Sequence, residues 1–238
     1  MSEERKLPAD PASDTEVRAF LSQVEKIRSR PTAETGAGRL IFALDATGSR
    51  QPTWDRATQI QGEMFMATRD LGGLAVQLCF YRGFGEFKVA PWSTRAADIV
   101  RLMTSVACRA GQTQIAKVLQ HAINETRRQQ VTALVFVGDC MEENVDRLAH
   151  YAGQLGMLKV PAFMFHEGGE PAAAFAFKEI ARLSGGAYCR FDSSSPSQLR
   201  DLLQAVAVYA AGGRAALERL ASRQGGHVRL IAGQVRRA

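Results

Sequence analysis

Residues Leu40–Leu44 read Leu-Ile-Phe-Ala-Leu and are followed at once by Asp45 and a polar turn. A half-exposed strand alternates apolar and polar residues. An unbroken apolar run of strand length has to be covered on both faces, the situation of a strand inside a parallel sheet. Similar runs recur at Leu74–Tyr81, Val131–Val137, Val160–Phe165 and Ala187–Phe191, and a shorter, glycine-flanked run at Glu86–Ala90 reads as a hairpin edge strand. Helical patterns lie between or after them, near Trp54–Leu71, Thr94–Val106, Ile115–Gln129, Glu143–Leu155, Pro171–Leu183 and Pro196–Ala210. Thr53 is placed to cap the first of these and Gly72-Gly73 to end it. Helices alternating with buried strands predict an α/β, doubly wound fold with a mostly parallel sheet flanked by helices on both faces.

This alternation spans residues 37–211, and the ends differ from it. Residues 1–36 form an extension in which Val17, Phe20, Leu21, Val24 and Ile27 fall on one face of an expected helix over 14–30 that Pro31 ends. Residues 212–238 form a basic tail with six arginines against Glu218, which accounts for five of the six net positive charges. The body is therefore close to neutral. No aromatic residues interleave with the tail arginines, so the stacking platform of single-strand binders is missing and nucleic acid is not the expected partner.

No apolar run approaches the ~20 residues needed to cross a bilayer, and the first residues mix both charge signs without the apolar stretch of a secretory signal. Four scattered cysteines, without the paired spacing of a metal site, fit a reducing cytoplasmic compartment.

Open parallel sheets bind ligands beyond the carboxyl ends of their strands, where the strand order reverses. Asp45 follows the first apolar run and Asp139 the fourth, so the two carboxylates converge if those strands are neighbours. The turn after Asp45 adds the hydroxyls of Thr47 and Ser49, and Thr113, just ahead of an expected helix, supplies a third. Two carboxylates and three hydroxyls make an all-oxygen set suited to a hard cation such as Mg²⁺, with Mn²⁺ or Ca²⁺ as alternatives.

The motif Asp45-Ala-Thr47-Gly-Ser49, then Thr113, then Asp139 resembles the metal ion-dependent adhesion site of von Willebrand factor A domains, whose pattern is Asp-x-Ser-x-Ser, a distant Thr and a later Asp. The resemblance covers about residues 38–210. It implies the Rossmann-like fold of that family and direct ligation by Thr47, Ser49 and Thr113, with Asp45 and Asp139 acting partly through water. It also implies a protein ligand whose acidic side chain completes the shell, and an adaptor role of the kind intracellular bacterial relatives play beside ATPases or chaperones. Thr47 departs from the family's usual serine; the hydroxyl is kept, and the extra methyl restricts its rotamer.

Each residue also has a plainer reading. Asp45, Thr47 and Ser49 satisfy turn amides well, and Thr113 is placed to cap a helix near Gln114. His166, at a strand end, reads as structural, Glu142 and Glu143 as solvated, and Cys140 as packing. A competing function is a metal-assisted phosphoryl-transfer or hydrolytic enzyme like the haloacid dehalogenases, whose motif Asp-x-Asp-x-(Thr/Val) begins at the same strand end. Here the second acidic position is Thr47, and the cluster holds no histidine or cysteine to act as base or nucleophile.

Overall fold

A computed structural model describes residues 38–52, Trp54, 74–191 and the helical residues Gln204, Val206, Val208 and Ala210. The expected helix over 14–30, nearly all of the helix over 54–71, most of the helix over 196–210 and the tail from 212 lie outside the described residues.

Six strands form one sheet: β1 (Arg39–Asp45), β2 (Ala75–Arg82), β3 (Glu86–Val89), β4 (Ala133–Gly138), β5 (Ala162–Glu167) and β6 (Ala187–Phe191). Four helices are described, α1 (Ala96–Thr104), α2 (Ile115–Arg128), α3 (Val145–Met157) and α4 (Pro171–Ser184). The strand order is β3-β2-β1-β4-β5-β6. All neighbours are parallel except β3, which returns antiparallel on β2 as the expected hairpin edge. From β1 the chain builds outward first on one side and then on the other, so the order reverses between β1 and β4 and opens a crevice at their carboxyl ends.

Alternate residues of the central strands serve the two faces. Leu40, Phe42, Leu44, Val135, Val137, Phe163 and Phe165 point into one core with Trp54, Ile99 and Met103. Ile41, Ala43, Leu134, Phe136 and Met164 point into the other, against Ile115, Leu119, Leu148, Phe177 and Ile180 of α2, α3 and α4. All seven residues of β1 are buried, which is why its sequence shows no polar alternation. No helix among the described residues is long and apolar enough to cross a membrane.

Boundaries shift where capping decides them. Helix α3 starts at Val145 rather than Glu143 because the Asn144 side chain accepts a hydrogen bond from Arg147 N at 2.9 Å. Helix α4 has Pro171 in its first turn and stops at Gly185, whose φ of 75° is the left-handed conformation glycine adopts without cost.

Candidate metal centre

Asp45, the last residue of β1, is fully buried. Its Oδ1 accepts from Thr47 N at 2.8 Å and its Oδ2 accepts from the Tyr81 hydroxyl at 2.8 Å. Tyr81 is the register partner of Asp45 across β1 and β2, so the parallel pairing itself delivers the phenol to the carboxylate. Burial pushes the Asp45 carboxyl above its ordinary range, the Thr47 hydrogen bonds and the Arg50 charge pull it back, and the nearby Asp139 charge raises it further.

Thr47 and Ser49 follow in a turn that leads into a short 3₁₀ segment, Gly48–Arg50. Thr47 occupies the cap position, yet its side chain makes no capping bond. Its Oγ1 instead lies 3.2 Å from Ser49 Oγ, so the two hydroxyls stand side by side, Thr47 buried and Ser49 exposed.

The segment that carries Thr113 is sewn to this turn. Arg109 N donates to Ala46 O at 3.0 Å, and Thr47 pairs with Arg109 in a parallel bridge. Thr113 does not cap α2. Its Oγ1 accepts from Glu142 N at 3.0 Å while its own N–H donates to Glu142 Oε2 at 3.1 Å. The cap comes from Glu143, whose two carboxylate oxygens accept from Ile115 N and Ala116 N. That carboxylate sits on the positive end of the helix dipole, which would otherwise oppose a cation nearby. Both glutamates, which read as solvated in the sequence, are thus clasps between the Thr113 loop and the segment after β4.

Asp139 follows β4 directly. A Cβ added at Gly138 would lie 2.8 Å from the Phe136 ring and 3.3 Å from Asp45 Cβ, so glycine there lets the ends of β1 and β4 close up. Asp139 Oδ1 is buried and has no hydrogen-bond partner among the described residues. A buried carboxylate oxygen without a donor is costly, and beside a second buried carboxylate it is the arrangement a cation relieves. The donors are oxygens throughout, and no cluster of three or more His, Cys, Asp or Glu exists among the described residues. The set therefore fits a hard cation rather than a zinc-type site.

Arg50 is the group that sequence reasoning missed. Its side chain is fully buried, and Nε and Nη2 donate to Glu167 Oε2 at 3.0 and 2.8 Å. Nη1 donates to Asp45 O at 2.9 Å and lies 3.5 Å from Val137 O. One guanidinium thus ties together the ends of β1, β4 and β5 beneath the crevice. His166 is buried and structural, with Nδ1 3.0 Å from the Tyr188 hydroxyl and Nε2 3.3 Å from Asp139 O.

No family model matches the sequence, and no curated protein matches it. Solved structures do match. The SpRpn10 VWA domain superposes with a TM-score of 0.57 at 14% identity, over 70% of this chain and 94% of that one. The fold is von Willebrand factor A-like. Human COPII-coat protein Sec24c matches with a TM-score of 0.51 at 12% identity, over 74% of this chain and 33% of that one. The PilB minor pilin from Streptococcus sanguinis matches with a TM-score of 0.56 at 10% identity, over 76% of this chain and 62% of that one. At such identities the likeness is one of fold. Asp45 ends β1, Thr47 and Ser49 lie in the turn after it, Asp139 follows β4, and Thr113 stands just before α2, bonded to Glu142 in the segment after β4.

Proposed function

We propose that this chain is a metal-dependent protein-interaction module. Asp45, Thr47, Ser49, Thr113 and Asp139 hold one divalent cation, Mg²⁺ in the first instance with Mn²⁺ or Ca²⁺ as substitutes. Three hydroxyl donors neutralise little of the ion's charge, which leaves it attractive to an incoming carboxylate from a protein partner. The observation that carries this reading is the buried, unpartnered Oδ1 of Asp139 beside the buried Asp45 carboxylate. Asp45 already accepts from Thr47 N and the Tyr81 hydroxyl, whereas Asp139 Oδ1 brings a second carboxylate to the same crevice with no donor among the described residues. The VWA-like fold supports it, since this architecture presents ligands at the same strand ends. By analogy of fold, the partner is an ATPase or chaperone for which the chain serves as adaptor. The free thiols of Cys79, which is buried, and Cys140 favour a reducing, cytoplasmic setting.

The binding role is preferred over metal-assisted hydrolysis because His166, the histidine in contact with Asp139, is committed to Tyr188 and a backbone carbonyl. The test is affinity capture from extract with Mg²⁺ or chelator, using wild type and Asp139→Asn. A set of proteins retained only by wild type in Mg²⁺ is expected. An identical set under all four conditions would refute metal-dependent binding.

A further inference from the structure

Phe84 is 84% exposed at the tip of the β2–β3 hairpin, the most exposed large apolar residue among those described. An aromatic ring left in water on a loop is ordinarily a loose tip. This one is not loose. Gly83 and Gly85 flank it with φ of 58° and 101°, conformations that turn the chain sharply on both sides of the ring. Gly83 N donates to Arg109 O at 3.3 Å and Gln112 N donates to Gly83 O at 3.3 Å. Gln114 Nε2 reaches Arg82 O and Gly83 O at 3.3 Å each, and Lys117 Nζ donates to Gly85 O at 3.0 Å. A Cβ at Gly111 would fall 2.1 Å from Gly83 O, so the two backbones are in direct contact. The backbone of the hairpin tip is therefore fastened to the loop that carries Thr113, which fixes where the Phe84 side chain starts from.

The surroundings are basic. Arg109 lies along Gly83 with its side chain 72% exposed, and Lys117 and Lys88 are exposed as well. Glu86 is the opposing carboxylate, shared between Arg82 at 3.1 Å and Arg109 at 3.9 Å. Resting on the metal-dependent reading above, we infer that Phe84 with Arg109 and Lys117 forms a second contact for the partner, whose recognised segment carries a metal-reaching Asp or Glu beside an aromatic or large aliphatic residue. The carboxylate alone gives direction but little selectivity. An aromatic side chain on an anchored backbone adds an apolar anchor at smaller entropic cost than one on a loose loop, and the basic rim favours an acidic segment over a neutral one.

The test uses random peptides displayed on phage, selected on the full chain in Mg²⁺ and eluted with chelator. Enriched peptides are expected to pair an acidic residue with an aromatic or large aliphatic one at fixed spacing. Phe84→Ser should weaken them by about tenfold or more, as removal of an anchor residue does, while Mg²⁺ binding by that variant stays at the wild-type level. Chelator-eluted peptides that carry only the acidic residue and ignore Phe84→Ser would overturn the inference and leave the metal site standing. Binders that need Phe84 but survive chelation would overturn the link between the two contacts. Self-association of the chain that Phe84→Ser abolishes would assign the ring to a second copy and overturn the partner. Failure to take up Mg²⁺ at all, with no chelator-eluted peptide, would remove the metal reading and this inference with it.

Discussion

Replacing Asp139 by Asn should change the stability of the protein in opposite directions with and without metal. In the metal-free chain the carboxylate is a liability: its Oδ1 is buried without a donor among the described residues, and its charge pushes up the pKa of Asp45, already raised by burial. An unsatisfied buried polar group costs about 1–3 kcal/mol, more when charged. Asn keeps the shape and removes the charge, so in chelator the variant should be more stable by about 1 kcal/mol, or about 2–4 °C in melting temperature for a chain this size. With Mg²⁺ at a hundred times its dissociation constant, wild type gains about 2.7 kcal/mol from binding. The variant, lacking a ligand, gains little, so wild type should then lead by about 1.7 kcal/mol. Thermal melts of both proteins in chelator and in saturating Mg²⁺ make the comparison. A variant that is less stable than wild type by the same margin in both buffers would show that Asp139 is structural, and the reasoning would be wrong.

Arg50→Met should destabilise by about 3–5 kcal/mol in urea unfolding, because it leaves Glu167 buried and unpaired; the double variant with Glu167→Met should recover most of that loss. Glu143→Ala removes both acceptors at the start of α2 and should cost about 1–2 kcal/mol by the same assay; a neutral result would mean that solvent caps the helix equally well. For Glu125, burial pushes the carboxyl up, but the Trp92 hydrogen bond and the His121, Arg128 and Arg39 charges outweigh it and hold it below its ordinary range. A depressed pKa adds stability above the unfolded value of about 4.3 that is lost as pH falls through the folded one. Glu125→Gln should therefore cost about 1–3 kcal/mol at neutral pH, with the gap closing in acid; a gap that persists at low pH would refute the charge-based account.

The features legible in the sequence were those carried by local pattern. Continuous apolar runs announced β1, β4 and β5, and Asp45, Thr113 and Asp139 each stand at the element boundary expected of them. What stayed hidden depends on partners far away in the chain. An arginine in a polar turn reads as solvated, and Arg50 is buried because Glu167, 117 residues later, closes over it. Tyr81 reads as one more strand aromatic until the register sets it opposite Asp45. Glu142 and Glu143 look like the exposed start of a helix; Asn144 takes over the capping of α3 and frees both for the Thr113 loop. The position of Thr113 fits a cap, yet its hydroxyl accepts from Glu142 instead.

The proposed function requires a cation beside the ends of β1 and β4, and Mn²⁺ tests that directly because the free ion has a strong electron paramagnetic resonance signal that protein binding suppresses. Titrating the full chain should show one Mn²⁺ bound per chain, displaced by Mg²⁺ and lost in both Asp139→Asn and Thr113→Val. A signal identical to that of Mn²⁺ in buffer, or binding that both variants retain, would contradict it.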